Sequence, residues 1–384
     1  MEIKRDYYLN KLIRHKNNGM VKIVTGIRRC GKSYLLFNLF YKHLLSCGVF
    51  DDHIISVALD DFGNKKLRDS EALYDFVKGK ITDNADYYIL LDEIQLVDDF
   101  ESVVNGFARI NNVDVYITGS NSKFLSSDVI TEFRGRGDEI RVYPLCFSEF
   151  YSVYGGDFDQ AWLMYCNYGG MPLCLSMETA EDKAKYLTNL FETTYLKDII
   201  NRHKLRGNDE IGELTDVLAS SIGSFTNPTK LANTFGSVKN VKLSANTVAS
   251  YIDYLQDSFL IEKAVKYDIK GKKYISTPAK YYFVDLGLRN ARLAFRQQEY
   301  NHIMENVIYN ELRMRGYSVD VGTVECVGKD GSTATRKNLE VDFVVNLGNR
   351  RYYIQSAYNI PNEEKLLQEQ ASLLAVNDAF RKII

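Results

Sequence analysis

The sequence predicts an α/β protein built first on a parallel sheet with a phosphate-binding loop, then on helical and mixed segments. Three features point there. Residues 21–37 run from the apolar Val21, Ile23 and Val24 through Gly26 and Gly31-Lys32-Ser33 into an apolar helix. Residues 87–95 carry a short apolar run that ends in Asp92-Glu93. After Pro144 the apolar residues recur three and four apart, and beyond residue 260 they alternate again.

The first feature is the pattern G-x-x-x-x-G-K-[ST] with a strand before it and a helix after it, the context this motif needs. Gly26 and Gly31 let the backbone curl, so that its N–H groups and the positive helix end surround a di- or triphosphate. The expected nucleotide-binding set is therefore Gly26, Ile27, Arg28, Arg29, Cys30, Gly31, Lys32, Ser33 and Tyr34. Lys32 would reach the β- and γ-phosphates of ATP, and the Ser33 hydroxyl would ligand Mg²⁺. A glycine turn that matches by accident is the competing reading, and the two correct flanks argue against it.

Length and composition set limits. A chain of 384 residues is expected to form two or three domains. Hydrophobic content of 45% with 26% charged residues describes a globular protein with ample core. A net charge of −2 excludes polyanion binding through overall charge, so any nucleic-acid contact needs a local patch. The charged start, Glu2 to Asp6, lacks the apolar core of a signal peptide, and no apolar run is long enough for a membrane span. Cys30, Cys47, Cys146, Cys166, Cys174 and Cys326 form no CxxC pair, as expected for reduced thiols in a cytoplasmic protein.

In chain order, residues 4–19 read as a basic helix with Tyr7, Tyr8, Leu12 and Ile13 apolar, packed beside the nucleotide base or capping the sheet. Leu35, Leu36, Leu39, Phe40 and Leu44 recur at helical spacing until Cys47-Gly48 stops them. Residues 54–59 read as a buried strand and 69–82 as a helix. The strand at 87–95 would deliver both acids at its carboxyl edge, where α/β sheets bind ligands. There Asp92 would hold Mg²⁺ through its water shell, and Glu93 would polarise the attacking water. Another strand, 113–118, is followed by Ser120 and Asn121, sensor candidates beside the γ-phosphate; helix capping by Ser120 or Ser122 is the alternative. Arg134 and Arg136, ahead of a strand at 139–143, are candidates for an arginine finger reaching a neighbouring subunit, though surface arginines would look the same.

This order of parts resembles the AAA+ P-loop ATPases. More closely it is similar to bacterial and archaeal ATP-binding proteins with a helical lid, a winged helix and a PD-(D/E)xK nuclease-like C-terminal domain. The match is carried by GIRRCGKS (26–33), LLDEIQ (90–95), ITGSNS (117–122), FRGRG (133–137), YPLCFSEF (143–150), YGGMP (168–172), KYYFVDLGLR (280–289), ENVIYNELRMRG (305–316) and LEVDFVV (339–345). The resemblance implies an ATPase core at 1–145, a lid at 146–208, a winged helix at 209–289 and a nuclease-like domain at 290–384. It also makes Gly169-Gly170-Met171-Pro172 a turn of the lid, where a helical linker without ligand contact is the alternative.

The winged helix also has support from the residues. Three helical patterns (210–221, one begun by Asn227-Pro228 and ended at Gly236, and 244–256) precede alternating segments around residues 268–271. Residues 227–282 hold nine lysines (230, 239, 242, 263, 266, 270, 272, 273, 280) against four acids, a basic face that suits DNA phosphates. The third helix has no Lys or Arg, and winged helices also bind proteins, so both partner classes stay open. In the last region Glu305 and Asp342 stand where a nuclease of the resembled type keeps two acids, but Gln355 replaces the third and Ala357 the lysine. A degenerate nuclease fold without cleavage is expected, serving binding or self-association. The final Lys382-Ile383-Ile384 reads as the start of a strand, so this domain is expected to be incomplete. The expected activity is hydrolysis of ATP driving a conformational or assembly switch; the alternative is a nucleotide-gated DNA- or protein-binding module with little turnover.

Overall fold

The computed structural model describes residues 2–119, 133, 135–205, 208–238, 243–330 and 333–384. The chain divides into two compact units, Met1–Val153 and Tyr154–Ile384.

The first unit is built on five strands: β1 (Val21–Thr25), β2 (Ile54–Ala58), β3 (Tyr87–Asp92), β4 (Val113–Thr118) and β5 (Gly137–Arg141). They lie in the order β2-β3-β4-β1-β5 with every pairing parallel. All residues of β1 and β3 are buried, which explains why these strands read as near-continuous apolar runs. One face of the sheet packs Ile23, Ile89, Leu91 and Ile117 against Leu73, Phe100, Val104 and Phe107 of the covering helices. The helix Ser70–Lys80 starts where Asp69 accepts the Ala72 N–H at 2.9 Å. The helix after the phosphate loop runs from Lys32 to Ser46 with a π-helical middle, Leu35–Phe40, and Gly48 follows it at φ 85°.

The basic helix near the start of the chain is Asp6–His15. It buries Tyr8 and Leu12, and the Tyr8 hydroxyl accepts the Tyr143 N–H at 3.0 Å. Inside the sheet, the Lys22 ammonium on β1 donates to the Asp114 carboxylate on β4, and both side chains are buried. Tyr116 Oη (2.8 Å) and the Asn17 N–H (2.9 Å) donate to the other Asp114 oxygen. Composition does not reveal this pair, because its members are 92 residues apart.

The second unit opens with the helix Phe158–Tyr168, and a longer one runs from Ala180 to His203 through the π segment Leu190–Leu196. Gly169 and Gly170 form a joint with the start of the helix Leu286–Arg292. The Gly170 N–H donates to the buried Asp285 carboxylate at 2.7 Å. A Cβ on Gly169, at φ 70°, would lie 2.4 Å from the same carboxylate, and one on Gly287 would lie 2.1 Å from the Tyr168 carbonyl oxygen. Two segments read separately in the sequence, 168–172 and 280–289, thus meet in one contact.

Helices Asn208–Ser220, Pro228–Val238 and Ala245–Asp257 follow, then β6 (Ile261–Asp268) and β7 (Lys273–Phe283) as an antiparallel pair. The remaining strands are β8 (Ser318–Asp330), β9 (Thr333–Leu347), β10 (Arg350–Ile354) and β11 (Arg381–Ile383). All six lie in one sheet, β11-β10-β9-β8-β6-β7, in which β6 pairs parallel to β8. The hairpin expected as a wing is therefore continuous with the strands expected in the last region. The helix Tyr300–Met314 packs Tyr309 against Tyr282 and Phe343 on this sheet.

Because Lys22 and Asp114 form a buried ion pair, Lys22→Met should lower stability by about 3 kcal/mol, the cost of stranding one member of such a pair. Urea midpoints of the two proteins measure this; an unchanged midpoint would show that Asp114 is compensated without Lys22.

Candidate functional site

The carboxyl edge of the first sheet brings the loop and the acid pair together. Gly26 sits at φ 140°, and a Cβ there would lie 2.1 Å from the Val142 carbonyl oxygen, so only glycine fits. Gly31, at φ 101°, opens the helix, and the Leu35 N–H donates to its carbonyl at 2.9 Å. Ile27 and Cys30 are buried beneath the loop, Arg28 and Tyr34 are half-buried, and Arg29 is exposed at φ 63°. The Lys32 side chain folds across the loop, its ammonium donating to the carbonyls of Gly26 (2.9 Å) and Ile27 (3.1 Å). Ser33 is exposed.

Asp92 ends β3 and Thr118 ends β4, the adjacent strand. The Thr118 hydroxyl donates to the Asp92 carboxylate and accepts the Glu93 N–H at 3.1 Å. Burial pushes the Asp92 carboxyl above its ordinary range, and hydrogen bonds from Thr118 and Ser33 and the nearby Lys32 ammonium oppose that rise. Ser33, Lys32 and Asp92 therefore share one locus. Glu93 is half-buried at φ 52°, a left-handed conformation that is costly for a side chain with a Cβ and is found where function holds it. Its carboxylate accepts the Gln95 side-chain amide.

Thr118 is the residue the sequence reading passed over. The available signal is a polar residue ending the apolar run Val115-Tyr116-Ile117, just ahead of the candidates Ser120 and Asn121. Ser120, Asn121 and Arg134 lie outside the described residues. Arg136 is exposed, and its carbonyl accepts the Val21 N–H (2.8 Å) at the amino end of β1. The five residues of β1 span about 16 Å, so Arg136 stands at the edge of its own sheet opposite Lys32.

The donor set fits a magnesium-bound triphosphate: a glycine-walled loop, an ammonium held by two neutral carbonyls, and an exposed hydroxyl beside a carboxylate. Ser33 and Asp92 would hold the ion, a hard cation that takes oxygen ligands.

In the second unit a cleft of about 740 Å³ gathers Lys280, His302, Glu305, Glu340, Asp342, Gln355 and Ala357. Sequence reading expected Lys280 on a basic outer face. It is instead buried, its ammonium donating to Glu305 (2.8 Å) and paired with Glu340 at 2.6 Å, because β7, the edge strand, packs against the helix Tyr300–Met314 that carries Glu305 rather than standing as a free wing. Burial alone would push the Glu305 carboxyl up, but His302 and Lys280 outweigh it and hold the group below its ordinary value. Asp342 is pushed up to about 7 by burial and by the nearby Glu305. Gln355 donates to Glu369 at 3.2 Å and accepts from Ser372 at 3.2 Å and from the Asp342 N–H at 3.4 Å. Among the described residues no group of three metal-ligating side chains is arranged to hold an ion, and no helix is long and apolar enough to cross a membrane.

Comparison with known proteins agrees with the first unit. Residues 18–151 match a family described as an AAA domain, and residues 159–299 match a domain of unknown function. An uncharacterised protein of Haemophilus influenzae is 33% identical over 390 residues, covering 100% of this chain and 92% of that protein. The uncharacterised protein MJ1544 of Methanocaldococcus jannaschii is 29% identical over 394 residues, covering 98% and 82%. Among solved structures, the ORC1 protein of Aeropyrum pernix in complex with DNA aligns with 76% of this chain and 92% of that one, at 12% identity and a TM-score of 0.35, a likeness too loose to carry any argument. The chain thus belongs to one family with the Haemophilus influenzae protein, and its residues 18–151 form an AAA domain of the AAA+ P-loop type.

Proposed function

We propose that the chain is a Mg²⁺-dependent ATPase in which ATP binding and hydrolysis switch conformation or assembly state. The meeting of Lys32, Ser33 and Asp92 at one sheet edge is the observation that supports this most. Mg²⁺, when bound there, would neutralise charge building up on the β- and γ-oxygens. In this reading the loop N–H groups and Lys32 would hold the phosphates, and Ser33 and Asp92 would hold the ion. Thr118 fixes Asp92 by its hydroxyl and the Glu93 backbone through its N–H. Glu93, steadied by Gln95, orients the attacking water. Arg136, far from its own chain's loop, would act only on a neighbouring copy.

Lys32→Ala should abolish ATP uptake in calorimetry. Glu93→Gln should bind ATP as the parent does but lose roughly a hundred-fold or more in phosphate release. Normal turnover in Glu93→Gln would remove the water-orienting role, and slow turnover in the parent itself would favour a nucleotide-gated binding module.

For the second unit we propose binding without cleavage. Supporting this, the lysine in the cleft is neutralised by two carboxylates, and Gln355 and Ala357 supply neither charge nor a base. The exposed Lys272, on the turn between β6 and β7, and Lys273, at the start of β7, are the surface we assign to DNA phosphates. Incubated with plasmid and Mg²⁺, the protein should retard DNA in a salt-dependent way and leave it uncut. Cutting that disappears in Asp342→Ala would reverse this assignment.

The cleft should also be visible in stability. Asp342 titrates near 7 when folded but near 4 when unfolded, so the folded form binds more proton between those values. Stability should therefore fall as pH rises from about 4 to 7, by at most about 1.4 kcal/mol per unit from this group. Asp342→Asn should flatten that part of the profile; a parallel profile would place the titration elsewhere.

A further inference from the structure

We infer that Arg5 is a positioning residue for the phosphate loop, through which the helix Asp6–His15 and nucleotide binding are coupled. The inference rests on the ATP-binding reading above. Arg5 is 2% exposed, and its guanidinium uses three separate nitrogens. Nη1 donates to the Cys30 carbonyl at 3.0 Å, Nη2 to the Tyr143 carbonyl at 2.7 Å, and Nε to Glu149 Oε1 at 3.0 Å. The ring of Tyr8 lies under it, 4.7 Å from the guanidinium carbon, and the hydroxyl of Tyr8 accepts the Tyr143 N–H. The missing Cβ of Gly31 would sit 3.6 Å from Nη1, so the guanidinium lies directly behind the loop.

The consequence follows from peptide geometry. The Cys30 carbonyl and the Gly31 N–H belong to one planar trans unit and point in opposite directions. By holding that carbonyl behind the loop, Arg5 turns the Gly31 N–H to the other side, into the concave face where a phosphate would accept it. The opposite wall of the loop is held separately: Cys30 Sγ donates to the Val142 carbonyl at 3.5 Å, and Gly26 packs on the same oxygen. Arg5 thus joins the loop to the segment leaving β5 and to the helix Phe147–Tyr154, which Glu149 begins by accepting the Cys146 N–H at 3.1 Å. A lysine could carry the charge, but its single nitrogen cannot match three acceptors in a planar fork.

If loop and helix are coupled, the coupling is reciprocal: ATP must steady the helix by as much as the docked helix favours ATP. Calorimetry with ATP and Mg²⁺ on the full chain, Arg5→Lys and Arg5→Met, with urea midpoints for each, measures one direction. Hydrogen exchange of residues 6–15 in the parent, with and without ATP, measures the other. Arg5→Met should raise Kd roughly ten-fold or more, Arg5→Lys by less, and ATP should slow exchange across the helix. Equal affinity in a folded Arg5→Met protein, or exchange at 6–15 indifferent to ATP, overturns the inference. If Arg5→Met fails to fold, the exchange measurement on the parent decides alone. Failure of the parent to take up ATP would instead defeat the ATPase reading.

Discussion

The first unit depends on one strand being where it is. β4 lies between β1, which feeds the loop, and β3, which carries the acids. Thr118, at the carboxyl end of β4, carries a hydroxyl that serves both Asp92 and the Glu93 backbone. A hydroxyl can donate and accept at once, so a single small side chain satisfies a buried carboxylate and an amide at a turn. Without it, Asp92 would be a buried acid with less to oppose its protonation, and the left-handed turn at Glu93 would lose its anchor.

Among the described residues three lysines are buried, and their settings differ. Lys22 faces a carboxylate in the middle of the first sheet and is fully enclosed. Lys280 lies between two carboxylates in the second unit. Lys32 is held by two neutral carbonyls, with Asp92 nearby. A buried ammonium matched by carboxylates has little charge left to offer, whereas one resting on carbonyl dipoles keeps its attraction for an anion. Charge balance, more than the identity of the residue, sets Lys32 apart from the other two.

The glycines follow a similar division. Gly26 and Gly31 shape a surface that a ligand would touch, while Gly169 and Gly287 let two backbone segments and the Asp285 carboxylate meet inside the second unit. Both kinds appear in short motifs that look equally suggestive on paper.

The sequence by itself determined whatever depends on near neighbours. The loop from Gly26 to Ser33, the helix it opens, and the Asp92-Glu93 pair at the end of an apolar strand follow from local dihedral needs and periodicity, and the parallel α/β sheet follows from their order. What tertiary structure alone decided are contacts between residues distant in the chain: Thr118 with Asp92 at a separation of 26, Arg5 with Cys30 at 25 and with Glu149 at 144, Lys280 with Glu305 at 25. The strand order carries those pairings, and no spacing rule encodes it. For the same reason Lys280 reads as a surface charge in the sequence, whereas in the fold β7 packs against the helix Tyr300–Met314 and buries that lysine beside Glu305 and Glu340, whose carboxylates offset the cost of its burial.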